Sequence, residues 1–498
     1  QGHKSEIFDL TFYAADYGID SDGSKMENLN VMPFNMGEKG IRLKNSDWKT
    51  DIANQIKRFQ PDLIAMSSTE DMWELGIRVL DEVKEYKTKN KIPVIAGGVF
   101  CTFAPDLCIK YPLIDMVCVG EGEGAIVDLC KKIENGDDYS SVTNLWVKKN
   151  NGEIKKNKIS KAVDINSNPK LDLSLFEENR LYRPMAGKIW KMVPVETHRG
   201  CPYTCKFCSS PDQSRLYNEQ TNSSFFRKKS MKKVYEELKH FKEKFKVEYI
   251  YFWADTFLAY NKKELDEFCE MYSDINLPFW MQTRPETVTE EKLKKLKKVG
   301  LKRMAFGLEH GNEKFRAEML DRRWKNKDII EACKVPKKLD IQFSVNSITG
   351  FPKETRELAF DTIEINRHID ADNQNIYSFV PFHGTPLRRL TEQMGLLPHE
   401  TITKCLTDKP QVKMTQYTPE EIEGIKRTFV LYIKFPKSRW KDIEKAEKFT
   451  DEGNRIYKEL KGEFLVKYMP KTDNIKNIDV ISSDVSDDIK KSFVDEMN

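Results

Sequence analysis

The first third of the chain alternates short apolar runs with longer amphipathic segments. The apolar runs, which lack polar alternation, lie at 62–66, 93–98 and 116–120. Helical patterns fill the intervals around 71–86 and 124–133. Strands of this kind, separated by helices, are typical of a parallel sheet covered on both faces. The pattern predicts an α/β fold with a doubly wound, Rossmann-like domain over residues 1–140.

The segment 6–10 also has the pattern of a strand. In an open α/β domain it would be the second strand, reached after a turn. A first strand and helix are therefore expected to be missing from this numbering.

Residues 141–190 form a bridge between domains. A small hairpin is predicted over 147–158 around Asn150-Asn151-Gly152, which is a favoured turn, and a linker follows it. Tyr182 and Arg183 form an aromatic and basic pair within this linker.

The alternation of strand and helix resumes after residue 190 for six units. Their strands are predicted at 192–197, 247–254, 278–283, 302–308, 342–348 and 375–380. Such a repeat indicates a partial (β/α)6 barrel of the TIM type over 191–387, with its chemistry at the carboxyl ends of the strands.

A helical C-terminal domain is predicted over 388–498. Amphipathic helices are expected at 419–432 and 439–461, the first beginning with a capping threonine followed by proline and acid. These helices could close the open side of the barrel or pack outside it. The polar stretch 473–498 is expected to be poorly ordered.

Composition narrows the classes of function. A chain of 498 residues is expected to form two or three domains. Its 82 basic and 78 acidic residues leave a net charge of +4. The overall charge is therefore too small to indicate a nucleic-acid partner. No apolar run reaches the roughly 18 residues of a membrane span, and no secretory leader is visible, so a cytoplasmic protein is expected.

Three cysteines, Cys201, Cys205 and Cys208, follow the apolar run at 192–195 with the spacing CxxxCxxC. Three thiolates on one loop can hold three irons of a 4Fe-4S cluster and leave the fourth open to a ligand. A zinc loop, which would need a fourth Cys or His nearby, and three unrelated buried thiols are the alternatives. Ten cysteines in a cytosolic chain favour metal ligation and core thiols over disulfides. The other seven lack metal spacing and are expected in the core, so no second cluster is predicted: Cys101, Cys108, Cys118, Cys130, Cys269, Cys333 and Cys405.

The stretch 196–208 resembles the signature of the radical S-adenosylmethionine (SAM) superfamily, including the aromatic Phe207 before the last cysteine. In that family the open iron is chelated by the amino and carboxylate groups of SAM. An electron from the cluster then cleaves SAM to a 5'-deoxyadenosyl radical. The segments 252–255, 307–311 and 346–355 resemble, in order, the later motifs of the same superfamily.

This resemblance implies a SAM site at the carboxyl ends of the barrel strands. Glu309 and Arg284 would hold the polar parts of SAM, the turn ending at Gly350 would flank the adenine, and Phe207 and Asp255 would complete the site. Asp255 could instead cap a helix, and Arg284 could pair with Glu286 on the surface. Glu309 is harder to assign to such a local role, since an unpaired buried carboxylate is costly.

Small and acidic residues follow the strands of the N-terminal domain, where ligands bind in open α/β sheets. They are Ser67, Thr69, Gly97, Gly98, Gly120, Glu121, Gly122 and Glu123. Ordinary turn chemistry would also account for the glycines. Upstream of such a cysteine loop, however, the pattern over 2–135 resembles the cobalamin-binding domain of the cobalamin-dependent radical SAM branch, which implies that these residues bind cobalamin.

Two positions depart from that branch. The motif that often supplies a histidine to cobalt is absent, since 9–11 reads Asp-Leu-Thr, and Phe100 stands where branch members often carry histidine. We therefore expect cobalamin with no histidine from those motifs on cobalt. The same absence also fits a domain that has lost the cofactor.

The resemblance implies an enzyme that acts on an unactivated carbon, where side-chain acid-base chemistry alone cannot break the bond. Methyl transfer from SAM through methylcobalamin is the favoured reaction. Rearrangement and oxidative cyclisation of a porphyrin ester are alternatives within the branch, and an iron-sulfur electron-transfer or sensing protein is the alternative outside it. The branch also implies anaerobic chemistry, an external electron donor such as flavodoxin or ferredoxin, and a small-molecule or natural-product substrate.

Overall fold

Two mainly parallel sheets, each covered by helices, organise the chain. The computed structural model describes residues 2–13 and 21–469. The first sheet has five strands in the order β1-β2-β3-β4-β5, with β1 to β3 parallel and β4 and β5 antiparallel. These strands are β1 (Ile64–Ser67), β2 (Val94–Gly97), β3 (Met116–Cys118), β4 (Leu145–Lys148) and β5 (Ile154–Lys156). Its helices are α2 (Trp48–Phe59), α3 (Trp73–Glu82), α4 (Lys84–Asn90), α5 (Val99–Phe103), α6 (Pro105–Cys108) and α7 (Glu123–Asn135). The preceding helix α1 (Ser21–Glu27) contacts the C-terminal region, where Glu27 pairs with Lys461.

Both faces of this sheet are buried. Val94 and Ala96 of β2 point into a core that contains Trp73 of α3, whereas Ile95 points to the opposite core beside Leu129 of α7. Alternate residues of a strand face opposite sides, so an apolar run without polar alternation buries both sides. The predicted Rossmann-like domain is confirmed, as is the hairpin that β4 and β5 form.

The segment 6–10 is not a strand, so that prediction was wrong. Its carbonyl at Ile7 accepts a hydrogen bond from the Gln55 side chain of α2, and Glu6 pairs with Arg58 of the same helix at 2.6 Å. An extended segment becomes a strand only beside a partner that accepts its backbone hydrogen bonds, and here the partner is a helix. The expected first strand and helix ahead of this segment remain a prediction.

The second sheet is an open half barrel with the order β14-β13-β12-β11-β10-β7-β6. Six strands are parallel, and β6 is antiparallel at one edge. Its strands, with the short pair β8 and β9, are β6 (Tyr182–Met185), β7 (Lys188–Glu196), β8 (His198–Arg199), β9 (Arg227–Lys228), β10 (Tyr249–Trp253), β11 (Phe279–Thr283), β12 (Leu301–Glu309), β13 (Gln342–Thr349) and β14 (Asn373–Ser378). The predicted partial (β/α)6 barrel is confirmed.

Helices cover only the convex face of the half barrel. Strand residues such as Ile250, Met281 and Phe343 pack there in one core with Leu238 and Phe268 of the helices. The helices of the barrel and of the C-terminal region are α8 (Ser210–Thr221), α9 (Met231–Phe245), α10 (Lys262–Ile275), α11 (Glu290–Lys298), α12 (Glu313–Leu320), α13 (Asn326–Lys338), α14 (Arg356–Ile369), α15 (Pro386–Gln393), α16 (Pro419–Lys434), α17 (Trp440–Ala446) and α18 (Asp451–Lys467). Side chains on the concave face are therefore free of these helices and can contact a ligand.

The C-terminal helices cover the β14 edge of the half barrel. Helix α16 begins with a capping box formed by Thr418 and Glu421, as its sequence predicts, and packs against β14 and α14. The segment 439–461 was predicted as one helix but forms two, because Thr450 caps α18 after a break. Glu447 lies in that break and pairs with Arg356 of α14 at 2.7 Å.

None of the helices within 2–13 and 21–469 has both the length and the apolar character needed to cross a membrane. The polar stretch 473–498 lies outside the described residues.

Candidate functional site

The three predicted cluster cysteines lie on one loop that follows β7 and β8. The loop turns at Gly200, whose φ of +84° favours glycine. Hydrogen-bond donors surround the sulfurs. The Sγ atom of Cys201 lies 3.6 Å from the Thr256 hydroxyl, and the backbone N–H of Ser210 donates to Cys208 Sγ at 3.5 Å. All three thiols are free and partly buried.

This environment suits thiolates that are bound to metal. Burial raises the pKa of the Cys208 thiol to about 12, so bulk ionisation at neutral pH is unfavourable. Metal coordination is the usual way in which such a thiol is held as thiolate. The loop is also fixed in place, because Thr204 donates to Asp321 at 2.6 Å. The donor set therefore fits a three-cysteine 4Fe-4S cluster.

Arg284 reaches the cysteine loop from the end of β11. Its Nη1 donates to Cys205 Sγ at 3.3 Å, and its guanidinium lies 3.8 Å from the centre of the Tyr203 ring. The predicted pairing with Glu286 is present, but both side chains are buried beside the loop and not on the surface. Arg284 thus contacts the loop that carries the three cysteines.

Glu309 lies at the end of β12, beyond a bulge in the register of β12 with β13, and has a φ of +68°. Its Oε1 accepts a hydrogen bond from Arg322 Nη1 at 2.7 Å, and Arg322 Nη2 donates to the Gly307 carbonyl at 2.8 Å. A Cβ at Gly307 would lie 2.3 Å from Glu309 Oε1, so glycine makes room for the carboxylate. Burial raises the pKa of Glu309, and the charge of Arg322 opposes that rise.

Arg322 was missed by sequence reasoning. It follows α12 in a loop without a motif, and only its neighbours Asp321 and Arg323 mark the position as charged. In the fold it places a guanidinium between Glu309 and the cysteine loop. Burial raises the pKa of the Cys205 thiol, and Arg322 and Arg284 oppose that rise. The structure therefore brings Arg284, Glu309 and Cys205 into one electrostatic cluster.

The turn at Gly350 is bonded within the protein. The backbone N–H groups of Gly350 and Phe351 donate to Glu354 Oε2 at 2.6 and 2.9 Å. His310 Nδ1 accepts a hydrogen bond from the backbone N–H of Asn312 at 3.1 Å, and its Nε2 lies 3.3 Å from Glu354 Oε1. Glu354 and His310, both fully buried, were not identified from the sequence as site residues.

The remaining predicted SAM residues flank this turn and the mouth. The ring of Phe207 packs edge-on against Phe351, with ring centres 6.4 Å apart. Asp255 is exposed just beyond β10. Phe207 therefore contacts the Gly350 turn, whereas burial and, to a smaller extent, the charge of Asp255 raise the pKa of the Cys201 and Cys208 thiols.

At the strand ends of the N-terminal sheet, two of the glycines lie so close to other atoms of the protein that a side chain would not fit. A Cβ at Gly98 would lie 2.3 Å from the Ser68 carbonyl oxygen, and one at Gly120 would lie 2.7 Å from the Tyr217 hydroxyl. The absence of a side chain at these two glycines thus lets the Ser68 carbonyl and the Tyr217 hydroxyl approach the backbone closely. Ser67 and Thr69 are exposed, and the Cβ positions of Gly97 and Gly122 make only ordinary contacts with Cys118. The open part of this edge is therefore formed by Ser67, Thr69, Gly97 and Gly122.

Glu121 and Glu123 bind arginine across the domain boundary. Arg199, which precedes the cysteine loop, donates to Glu121 at 2.6 Å, to Glu123 at 2.7 Å and to Glu196 at 2.9 Å. Arg227 also binds Glu121, at 2.5 Å. Together with the Val163 N–H, these arginines hold the pKa of Glu121 below its usual value despite burial. The two carboxylates, predicted to bind cobalamin, form ion pairs with the arginine that precedes the cysteine loop.

Phe100 points into the protein and not toward the strand-end edge. Its buried ring packs 5.2 Å from Trp73 and 5.4 Å from His383, which comes from the exit of the barrel. His383 Nδ1 contacts Glu70 at 2.7 Å, and its Nε2 contacts the His399 carbonyl at 2.8 Å. Both ring nitrogens are thus occupied.

Two family descriptions match the chain. The Radical SAM superfamily matches residues 195–364, and the B12 binding domain matches residues 36–130. The first match contains the cysteine loop, Arg284 and Glu309, and the second contains the strand ends of the N-terminal sheet.

Known proteins resemble the chain over both regions. The uncharacterized methyltransferase PH0819 of Pyrococcus horikoshii is 27% identical over 425 residues, which are 84% of this chain and 88% of that protein. The anaerobic magnesium-protoporphyrin IX monomethyl ester cyclase of Cereibacter sphaeroides is 26% identical over 362 residues, 70% of this chain but only 56% of the cyclase.

The fold resembles that of the cobalamin-dependent SAM radical enzyme OxsB, solved with aqua-cobalamin and SAM bound. The TM-score is 0.57 at 15% identity, over 94% of this chain and 76% of OxsB. The chain therefore joins a B12 binding domain to a domain of the Radical SAM superfamily.

Proposed function

We propose that the protein is a methyltransferase that replaces the hydrogen of an unactivated carbon–hydrogen bond in a small molecule with a methyl group from SAM. The observation that carries this proposal is the Arg199 junction. Through it the strand-end loop of the B12 binding domain is bonded directly to the segment that carries the cluster cysteines. The methyltransferase description of the Pyrococcus relative, which aligns with most of both chains, supports it.

Each cofactor has residues that fit it. Cys201, Cys205 and Cys208 would hold the 4Fe-4S cluster, and Arg284 and Glu309, with Arg322 behind them, would hold the polar groups of SAM. The open edge at Ser67, Thr69, Gly97 and Gly122 would hold cobalamin. When bound, the cluster and SAM supply a carbon-centred radical, and cobalamin supplies a carrier for the methyl group.

The net reaction balances with two molecules of SAM and two electrons from an external donor such as flavodoxin or ferredoxin. The substrate hydrogen leaves on 5'-deoxyadenosine, which is released with methionine. The methyl group comes from the second SAM, which leaves as S-adenosylhomocysteine. Because the radical is destroyed by oxygen, the reaction is expected to be anaerobic.

Cobalamin retention tests the first part of the proposal. The protein, with its cluster reconstituted anaerobically, is incubated with hydroxocobalamin and desalted, and its visible and electron paramagnetic resonance spectra are recorded. A retained corrin without a protein nitrogen on cobalt is expected, since Phe100 is buried and both nitrogens of His383 are occupied. A corrin-free protein, or a nitrogen signal, would contradict it.

The products of SAM separate methyl transfer from the alternatives. With reductant and SAM labelled in its methyl group, the label should move to the protein-bound corrin, and S-adenosylhomocysteine should form. Release of 5'-deoxyadenosine with no S-adenosylhomocysteine would instead favour rearrangement or cyclisation. A cluster that is reduced and oxidised without any SAM cleavage would indicate electron transfer or sensing.

A further inference from the structure

The segment 321–328, which joins α12 to α13, runs along the cysteine loop. Thr204 donates to the carboxylate of Asp321 at 2.6 Å, and the backbone N–H of Lys206 donates to the last carbonyl of α12 at 3.2 Å. These two bonds lie on either side of Cys205 in the sequence. The outer surface of the segment is therefore beside the loop whose sulfurs would hold the cluster.

Trp324 brings an exposed aromatic ring to this surface. The residue is 44% exposed, yet it also lines a small crevice together with Arg284 and Arg322. Arg284 in turn donates to Cys205 Sγ at 3.3 Å. Because an electron passes efficiently between two redox centres only over a short distance, a partner that covers Trp324 would be well placed to exchange electrons with the cluster.

The backbone that carries this ring is held by a buried arginine. Arg316 of α12 is 1% exposed, and it donates from Nη2 to the Trp324 carbonyl at 2.5 Å and to Asn326 Oδ1 at 2.8 Å. Asn326 in turn donates from Nδ2 to the Gly311 carbonyl at 2.7 Å. The surface is thus preorganised, which lowers the entropy cost of binding a partner.

The exposed charged side chains of the segment are all basic, namely Arg323, Lys325 and Lys327. Its two acids are partly buried. Asp321 is bound by Thr204 and pairs with Arg323 at 3.0 Å, and Asp328 lies in the first turn of α13. Within the part of the chain that the structure describes, Lys325 and Lys327 make no ion pair. Their charges are therefore available to an external partner.

The stability of α13 does not account for these lysines. Lys325 occupies the N-cap position without a side-chain capping bond, and Lys327 lies in the first turn. A helix favours Ser, Thr, Asp or Asn at its N-cap and acids in its first turn, because its free N–H groups and its dipole make this end positive. Basic residues at both positions oppose the dipole, and an anionic partner would offset that repulsion.

We propose that the exposed surface of 323–327 docks an acidic electron-donor protein of the flavodoxin type. Trp324 is its apolar anchor, since tryptophan and arginine most often carry the binding energy of an interface. Arg323, Lys325 and Lys327 attract acidic side chains of the donor. One electron leaves the reduced flavin and enters the cluster, and no bond is made or broken. The need for a donor rests on the proposed function, whereas the choice of surface rests on its charges and on its contact with the cysteine loop.

Equilibrium binding of oxidised flavodoxin to the full chain tests this surface. Isothermal titration calorimetry at low ionic strength measures it. Arg323→Glu combined with Lys325→Glu should weaken binding by about tenfold or more, because two attractive charges become repulsive. Trp324→Ala should weaken binding by about tenfold through loss of the anchor. Raising the salt concentration to about 0.5 M should also weaken binding to the wild type, because exposed charges are then screened.

Lys302→Glu is the matched control, because Lys302 is exposed at the amino-terminal end of β12, the opposite end of that strand from Glu309. It should leave the flavodoxin affinity unchanged, and a circular dichroism melt of each variant checks its folding. Equal affinity in the wild type and the double variant, or the same loss in Lys302→Glu, would overturn the proposal. Tighter binding of single-stranded DNA than of flavodoxin would also overturn it, since the surface would then be a nucleic-acid site.

The rate of cluster reduction provides a second readout. In the reconstituted protein, reduction by flavodoxin hydroquinone should be slower in the double variant than in the wild type. Reduction by reduced methyl viologen, a small cation that needs no basic docking surface, should keep its wild-type rate. Equal slowing with both reductants would contradict a docking role, because the substitutions would then act on the cluster itself.

Failure here and failure of the proposed function are distinguishable. Flavodoxin binding needs neither SAM nor cobalamin, so a chain that binds flavodoxin as expected but moves no methyl label keeps its docking surface and loses its assignment as a methyltransferase. A chain that moves the label with a chemical reductant but binds no flavodoxin keeps the function and loses this docking surface.

Discussion

At the scale of single residues, the cluster depends on each of three cysteines. Cys205→Ala is expected to abolish SAM cleavage and to lower bound iron and sulfide, because two thiolates cannot hold the cubane with one open iron. Iron and sulfide analysis, with electron paramagnetic resonance of the reduced protein, measures this. Cys269→Ala, which removes a partly buried thiol far from the loop, should leave the cluster unchanged. Full iron content and intact SAM cleavage in Cys205→Ala would show that the cluster lies elsewhere.

Substitution of Glu309 tests whether its carboxylate contributes to SAM binding. Glu309→Gln should weaken SAM binding about tenfold while the cluster stays intact, because a charged acceptor for the SAM amino group is lost. Equilibrium binding of SAM to the reconstituted protein measures it, and the exposed Glu318→Gln on α12 is the control. Unchanged affinity in Glu309→Gln would leave Glu309 with a structural role only.

Removing the partner of Glu309 should be costly for folding. Arg322→Met strands a buried carboxylate, so the free energy of unfolding should fall by about 3 to 5 kcal/mol. The neighbouring Arg323→Met, at an exposed position, should change it by less than about 0.5 kcal/mol. Denaturant titration compares the two, and equal losses would contradict the pairing of Arg322 with Glu309.

At the scale of elements, Glu354 fixes the turn between β13 and α14. Glu354→Gln should lower the free energy of unfolding by about 1.5 to 3 kcal/mol, since charge-assisted bonds to the Gly350 and Phe351 N–H groups are weakened. Glu357→Gln, an exposed acid in the first turn of α14, is the matched control and should have little effect. A thermal melt of both variants is the measurement. Similar melts would mean that the turn does not depend on the carboxylate.

At the scale of the whole molecule, the Arg199 junction should make domain docking sensitive to acid. The folded-state pKa of Glu121 is lowered, so its stabilisation is present above the ordinary value of 4.5 and is lost as pH falls through the lower folded value. Glu121→Gln should cost about 1 to 3 kcal/mol at pH 7 and show a smaller further loss on acidification.

Denaturant titrations of the wild type and Glu121→Gln at neutral and acid pH measure this difference. Glu134→Gln, at an exposed position of α7, is expected to keep the pH dependence of the wild type. A Glu121→Gln protein with the same acid loss as the wild type would show that Glu121 does not link docking to pH.

The local sequence pattern was sufficient to predict most strands and to identify the cysteine loop. The six barrel strands and the covered sheet follow from apolar runs, because burial of a strand depends mainly on its own side chains. The cysteine spacing is also local, so three thiols on one loop could be identified without the fold. Local pattern was not sufficient where an element needs a distant partner, as at 6–10, which has the residues of a strand but lies against α2.

The sequence by itself therefore determined the order of the two sheets, the strands of the half barrel and the cysteine loop. Only the tertiary structure decided which charges meet. Glu121 and Glu123 have the pattern of ligand-binding acids at a strand end, yet they bind Arg199 more than 70 positions away. Arg322 has no motif, but it supports Glu309 beyond a bulge in the strand. The physical reason is that the charge state and role of a buried ionisable group are set by neighbours in space, which the chain brings together only when it folds.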